Sequence, residues 1–425
     1  MRWTTAILSL VVAAPLAAQQ IEVTLQDAIR RAQDVQPTLI QAIGTERTAG
    51  ASRRSAFGAY LPTLTVSAAT SKGNTGRTDN TTGLFIPPVR SYTGGISANV
   101  ELFDGFRRIA NLRAAGATLD AAGAGVVNQR FQVLLTTKQA FYNALATEEL
   151  LRVAQSQVRR AQQQLQISVE KLRAGSATRS DSLRSTVEYG NARIALLQAQ
   201  ANLATAQANL GRQIGVDAPV RAVPDTIFPA LPDTGALRSR ALESAPQVLQ
   251  AEAQASAARA QVWSARSQYW PTLTVSYSDN RQGTKSPQFP LFDNLPDSYS
   301  WRFGVSWPLL NGFVREQNQV AASVNRDNAE AQAADSRRQV NAQLTQQLAA
   351  LSTTYEQISI ARDNLAAATE DLRVQNERYR VGAATILDLL TSQAALTQAE
   401  VNVVQTRFNY LIARAQVEAV VGRTL

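Results

Sequence analysis

Large apolar residues recur every seven positions at Leu351, Ile358, Leu365, Leu372 and Tyr379, and Thr354, Ala361, Ala368 and Gln375 follow the first four by three. Large residues at one seam position and small or polar ones at the other predict a closely packed coiled coil. The run stops at Gly382, within Tyr379-Arg-Val-Gly-Ala-Ala-Thr-Ile-Leu-Asp388. Glycine suits the left-handed position just past a helix end. Thr385 and Asp388 have the spacing of a capping box that opens the next helix. The stretch therefore predicts a long helical hairpin with a tight tip at 379–388.

The same pattern occurs 207 residues earlier. Its seam is Ala144, Leu151, Val158, Leu165 and Leu172, with Thr147, Ala154, Ala161 and Ser168 between them, and its tip is Leu172-Arg-Ala-Gly-Ser-Ala-Thr-Arg-Ser-Asp181. The equal offset makes the chain an internal duplication. From Gly105 to about Leu172 there is no proline, and an unbroken helix of that length would span ~100 Å. Returning helices are expected from about Thr178 to Arg212 and from Thr385 to Val421, ending before Gly215 and Gly422. Ile21 to Gly58 reads as helix, with a break near Pro37.

Between these helices the period changes to two. Leu64, Val66 and Ala68 alternate with Thr63, Thr65 and Ser67, and a second alternating run covers Tyr92 to Phe103, so a strand hairpin is expected over about 61–103. Residues 70–90 read as loop. The second copy repeats Pro-Thr-Leu-Thr-Val-Ser at 271–276, giving a hairpin over about 270–310. Its clearest strand runs from Tyr299 to Leu309, with Tyr299, Trp301, Phe303, Val305, Trp307 and Leu309 on one face. A soluble sandwich would show the same alternation. Trp301 and Trp307, however, are ~20 Å apart along a strand, close to the spacing of aromatic girdles around an apolar membrane band. Tyr299, Trp301 and Trp307 are thus the expected girdle residues, while Arg302 and Glu101 have the parity of the lumen face. Four strands cannot close a barrel, and an open sheet in lipid would leave two edges unsatisfied. Several copies must pool their strands.

Composition narrows the chemistry. The net charge of +9 and pI near 10.1 suggest nucleic acid, but the basic residues are scattered among Gln, Ala, Asp and Glu without interleaved aromatics, so a nucleic-acid partner is not expected. His and Cys are both absent, which removes imidazole bases, thiolate nucleophiles, disulfides and a Cys-linked lipid anchor. No catalytic, cofactor or metal residues stand out, and an enzyme is the least supported class. Arg2, the apolar core Ala6 to Leu16 and Ala17-Ala18 read as an export signal over 1–18, its core too short for a spanning helix. The domain plan is then a first repeat at 19–215, a proline-rich linker at 216–235 expected to pack outside the helical body, and a second repeat at 236–425.

Over nearly its whole mature length the chain resembles the TolC-like outer-membrane efflux proteins. The resemblance lies in Thr24-Leu-Gln-Asp-Ala28 with Pro37 twelve residues after Leu25, both Pro-Thr-Leu-Thr-Val-Ser strands, Leu102-Phe-Asp-Gly105 and the two tips. It implies a homotrimer in the outer membrane of a Gram-negative bacterium. A shared twelve-stranded barrel would continue into an α-helical periplasmic tunnel, which docks on a periplasmic adaptor fed by an inner-membrane transporter. The resemblance assigns the adaptor contact to the tip residues Leu172, Gly175, Ser176, Ala177, Tyr379, Gly382, Ala383 and Ala384. It assigns the periplasmic aperture to Asp388, with Asp181 and Thr391 nearby. The family's best-known members carry Arg at the Ala384 position and a second Asp at the Thr391 position, so a single acidic ring and a weaker latch are expected here. The alternative for Asp181 and Asp388, as third residues of capping boxes, is that they serve only as helix caps. A passive conduit accounts for all these features; a non-channel trimeric coiled-coil or adhesin-like envelope protein would account for the helices alone.

Overall fold

The computed structural model describes residues 21–425 apart from 75, 79, 82, 225–228, 234, 236–244, 286 and 288–293. The export signal expected at 1–18 lies outside the described residues, as does part of the 216–235 stretch. The chain divides into two compact units, one of Met1–Ile40, Asn128–Ala241 and Ala342–Leu425, the other of Gln41–Val127 and Leu242–Asn341.

Four helices dominate; a shorter one, α5 (Pro246–Arg266), belongs to the second unit. α3 (Arg107–Arg173) and α6 (Val314–Arg380) have 67 residues each and begin and end 207 residues apart. α4 (Arg179–Gln213) and α7 (Ile386–Val421) return from them. In the first unit, the second hairpin closes over two apolar clusters. One joins Leu344, Leu351 and Ile358 of α6 to Tyr410, Ala413 and Val417 of α7; the other joins Leu372 and Tyr379 to Ile386, Leu389 and Leu396. Leu351, Ile358, Leu372 and Tyr379 among them are heptad positions read from the sequence. Among the described residues, no helix is long and apolar enough to cross a membrane.

The N-terminal stretch departs from expectation. Ile21–Val23 is a short strand (β1) rather than the start of a helix. Thr24 ends it by capping α1 (Leu25–Val35), accepting a hydrogen bond from the Asp27 amide at 3.3 Å. α2 (Pro37–Gly58) follows, with proline at its first position, where the missing amide costs nothing. β1 pairs in parallel with Val220–Ala222, and Val23, Val220 and Ala222 are buried with Phe141, Leu145, Leu210 and Phe408. The stretch expected to be an external linker therefore contributes core. Val220 and Ala222 alternate inward, while Arg221 points out to Glu148 at 2.9 Å and Glu22 at 3.0 Å.

The second unit holds a four-stranded antiparallel sheet. Thr63–Lys72 (β2), Arg90–Phe103 (β5), Thr272–Gly283 (β7) and Asp297–Ser306 (β8) lie in the order β2-β5-β7-β8. Between β2 and β5, the stretch read as loop carries two two-residue strands, Arg77–Thr78 (β3) and Phe85–Ile86 (β4); Val220–Ala222 is β6. β8 stops at Ser306, so Trp307 and Leu309 lie beyond the strand. The last pair is Thr272 with Ser306, and Pro271 and Pro308 just outside it have no amide to extend the ladder.

Candidate functional site

Two surfaces carry the expected chemistry, and each is described within its own unit. The first is the sheet. The register brings Leu64, Val66 and Ala68 of β2 beside Ala98, Ile96 and Gly94 of β5. It sets Val100 and Ala98 beside Val275 and Tyr277 of β7, and those beside Phe303 and Trp301 of β8. One face is thus apolar across all four strands. The other presents Thr63, Thr65 and Ser67, then Asn99 and Ser97, then Ser276 and Ser278, then Arg302 and Ser300. Glu101 shares this polar face and pairs with Arg107 at 2.9 Å.

The apolar face is not covered. Leu64, Val66, Tyr299, Trp301, Phe303 and Val305 are all exposed, which together forgoes on the order of 10 kcal/mol of burial in water. Trp301 lies against Tyr277 with ring centroids 4.8 Å apart. Trp307 is exposed past the strand end, its indole donating to the Tyr269 carbonyl at 3.2 Å. The outer edges of β2 and β8 pair with no strand among those described. Two-faced, uncovered and open at both edges, the sheet is built to be continued by other strands and to meet an apolar medium.

The second surface is formed by the helix tips. Each hairpin turns in the same way. Gly175 and Gly382 take left-handed conformations, with φ of 73° and 82°. The Ser176 amide donates to the Lys171 carbonyl at 2.9 Å, and the Ala383 amide to the Arg378 carbonyl at 2.8 Å. These bonds satisfy carbonyls that the helix end would leave unpaired. Thr178 and Thr385 then cap the returning helices. Asp181 and Asp388 complete both capping boxes, accepting from the Thr178 amide at 3.0 Å and the Thr385 amide at 2.9 Å. The cap backbone bond, then the threonine hydroxyl, holds each carboxyl below the ordinary aspartate value; Arg184 and Arg378 add a smaller push in the same direction.

The remaining tip residues fall into two groups. Gly175, Ser176, Gly382 and Ala383 are exposed, while Leu172, Ala177 and Ala384 are half-buried. Tyr379 is buried, its ring in the apolar cluster of the second hairpin. Thr391 lies one turn beyond Asp388, and its hydroxyl bonds back to the Leu387 carbonyl at 2.9 Å rather than to the carboxylate.

One tip residue was not legible in the sequence. Lys171 of α3 donates to the Tyr379 carbonyl of α6 at 2.8 Å, and its ammonium sits 3.9 Å from the Tyr379 ring centroid. It ties the two hairpin tips together. The two partners are 208 residues apart in sequence, and no local pattern marks the pairing. Among the described residues, no cluster of His, Cys, Asp or Glu could hold a metal ion.

Comparison with known proteins adds four findings. A family model described as outer membrane efflux protein matches residues 28–216 and 237–423. The chain is similar to the outer membrane efflux protein BepC of Brucella suis, with 25% identity covering 86% of this chain and 78% of that protein. It is also similar to the pyoverdine export outer membrane protein OpmQ of Pseudomonas aeruginosa, with 26% identity covering 93% and 83%. Among solved structures, the outer membrane protein VceC of Vibrio cholerae shares the fold at a TM-score of 0.82 and 18% identity, covering 94% of this chain and 96% of that one.

Proposed function

The chain belongs to the outer membrane efflux protein family, and from that premise we propose that it is the passive exit duct of a tripartite export system. It is an outer-membrane protein and a component of an efflux system, and so works with partner proteins. In this reading three copies pool their four strands into a twelve-stranded barrel, and their helices form the periplasmic tunnel. A periplasmic adaptor engages the tips around Gly175 and Gly382, an inner-membrane transporter supplies the driving force, and Asp388 rings the aperture. Tyr299, Trp301 and Trp307 belong to the aromatic girdle of the barrel.

The observation that carries this reading is the sheet. Its apolar and polar faces run in register across strands from both repeats, so the two hairpins form one wall rather than two separate ribbons. In lipid, each unpaired edge amide or carbonyl would cost several kcal/mol, so this wall must continue into neighbouring copies. A structural or adhesin-like protein built from the helices would have no use for it.

The test is to extract the protein in detergent, measure its mass by light scattering and reconstitute it in a planar bilayer. A species of three copies with stable unitary conductance is expected. A water-soluble single chain, or a trimer that carries no current, would overturn the conduit reading.

A further inference from the structure

The apolar face of the sheet changes character toward the end remote from the helices. Along β5 its residues run Val100, Ala98, Ile96 and Gly94, then Tyr92, then Arg90. From Val100 to Arg90 the strand rises ~34 Å. At the tilt of membrane barrels that is ~25 Å of height, about the height of their apolar band. β2 makes the same passage, from Leu64 and Val66 through Thr70 to Lys72, and β8 makes it from Phe303 and Trp301 through Tyr299 to Asp297. These strands move from hydrocarbon chemistry through an amphipathic level to charge, which is the order met on leaving a bilayer core.

Two rows of charge close this end, and they are built differently. In the lower row, Arg281 of β7 faces Asp297 of β8 and lies 3.7 Å from Asp279. In the upper row, the last pair of the β2–β5 ladder sets Lys72 directly across from Arg90. The pairing of Tyr92 with Gly283, carried on by two residues, gives Lys285 the position facing Arg90 on its other side. All three side chains are exposed, and among the described residues none of them meets a carboxylate. Cross-strand neighbours stand only ~5 Å apart, and like charges directly opposite each other destabilise a sheet. The lower row answers its own charge. The upper row, made of cations alone, leaves its charge for another molecule to neutralise.

We propose that Lys72, Arg90 and Lys285 form a phosphate-binding rim that holds the phosphorylated headgroups of outer-leaflet lipids against the barrel wall. The inference rests on the barrel proposed above, in which the helices are periplasmic and this end of the sheet faces the cell exterior. It adds to that reading a ligand class and the residues that take it. The three cations share a face with Ile96, Val66 and Trp301, so their ligand is reached from the bilayer and not from the pore. They stand just past the apolar band, at headgroup depth, where the anion on a membrane lipid is phosphate. Arginine offers a planar fork to two phosphate oxygens and lysine a mobile point charge, so the rim can grip headgroups of differing shape. Lys72 lies on an edge strand, where a neighbouring copy arrives. Arg90 and Lys285 belong to the inner strands, and their charge is left to the lipid.

The test titrates full-length protein in detergent with bisphosphorylated lipid A and, separately, with lipid A stripped of its phosphates, counting bound lipid by native mass spectrometry. Wild type should prefer the phosphorylated form by about tenfold or more, and added salt should shrink the preference. Protein carrying Lys72→Gln, Arg90→Gln and Lys285→Gln together should bind the two forms alike. Arg90→Gln alone should fall between, and Arg302→Gln, on the opposite face, should keep the full preference. Equal binding of both forms by wild type, or a preference that survives the triple substitution, overturns the rim. Millimolar inorganic phosphate should leave lipid A bound; ready displacement would make this a site for free phosphate and overturn the lipid assignment. Light scattering and bilayer conductance of the same preparations separate the two readings. A failed rim leaves a conducting oligomer intact, whereas absence of both oligomer and current removes the barrel on which the rim rests.

Discussion

The two hairpin tips share a backbone and differ in what they pack. Both turn on a left-handed glycine, both close with a Thr–Asp capping box, and their equivalent atoms lie 207 residues apart. Behind the second tip stands an apolar cluster of Leu372, Tyr379, Ile386, Leu389 and Leu396. Behind the first, the seam is polar. Ser168 and Ser185 are buried with their hydroxyls 2.9 Å apart, and Gln164 donates to Ser168 at 3.2 Å. The positions matching Ile386, Leu389 and Leu396 are Arg179, Ser182 and Tyr189. Duplication has preserved the turn chemistry, which is local, while the packing behind it has diverged. The second hairpin is sealed on itself, and the first keeps its large apolar side chains for an outer face.

The largest effect that follows is at Leu389, which is fully buried. Leu389→Ala should cost about 2–5 kcal/mol in a site that can only partly collapse. Its first-repeat counterpart Ser182→Ala should stay within about 0.5 kcal/mol. Hydrogen exchange of the two tips measures both, with loss of protection confined to 372–396 in the leucine variant. Equal loosening of both tips by their respective substitutions would erase the distinction drawn between them.

A smaller effect is expected where the tips meet. Lys171→Ala removes a hydrogen bond to the Tyr379 carbonyl and a cation–π contact, together worth about 1–2 kcal/mol. If the contact holds the second tip inward against the first, the variant should raise the time-averaged conductance of the reconstituted protein, and Lys171→Arg should recover part of the difference. Unchanged conductance in the alanine variant would leave the pair as packing alone.

Which of these features could be read from the sequence follows from the range over which each is encoded. The tips were legible because glycine, threonine and aspartate act within ten residues, and the duplication wrote them twice. The faces of the sheet were legible because alternation is local, and the register then aligned them. The parallel pairing of Ile21–Val23 with Val220–Ala222 was not, since three residues show no period and the partner is nearly half the chain away. Nor was the partly buried Lys138–Glu418 pair, which lies between residues 280 apart in sequence. The end of β8 was misread because alternation continues through Trp307 and Leu309, while the prolines opposite and beside them stop the ladder.

The finest comparison is between Asp181 and Asp388, whose caps are alike within one chain. Both carboxyls are held below the ordinary aspartate value by their caps. A depressed folded-state pKa contributes stability above the unfolded pKa, and that contribution is lost as pH falls through the folded one. As caps, both residues should therefore stay ionised through the ordinary carboxylate range, and the helix starts should fray only below it. An aperture ring adds a second force to one of them. In the proposed trimer, three Asp388 carboxylates facing each other would repel, which raises the pKa, whereas Asp181, read as a cap alone, would feel no such push. Cation preference of the reconstituted protein should then decline on acidification before the tips fray. Asp388→Asn should remove the preference at neutral pH, and Asp181→Asn should retain it. If both variants keep the preference, or both lose it equally, the two residues are caps of equal standing and the aperture must be lined by other groups.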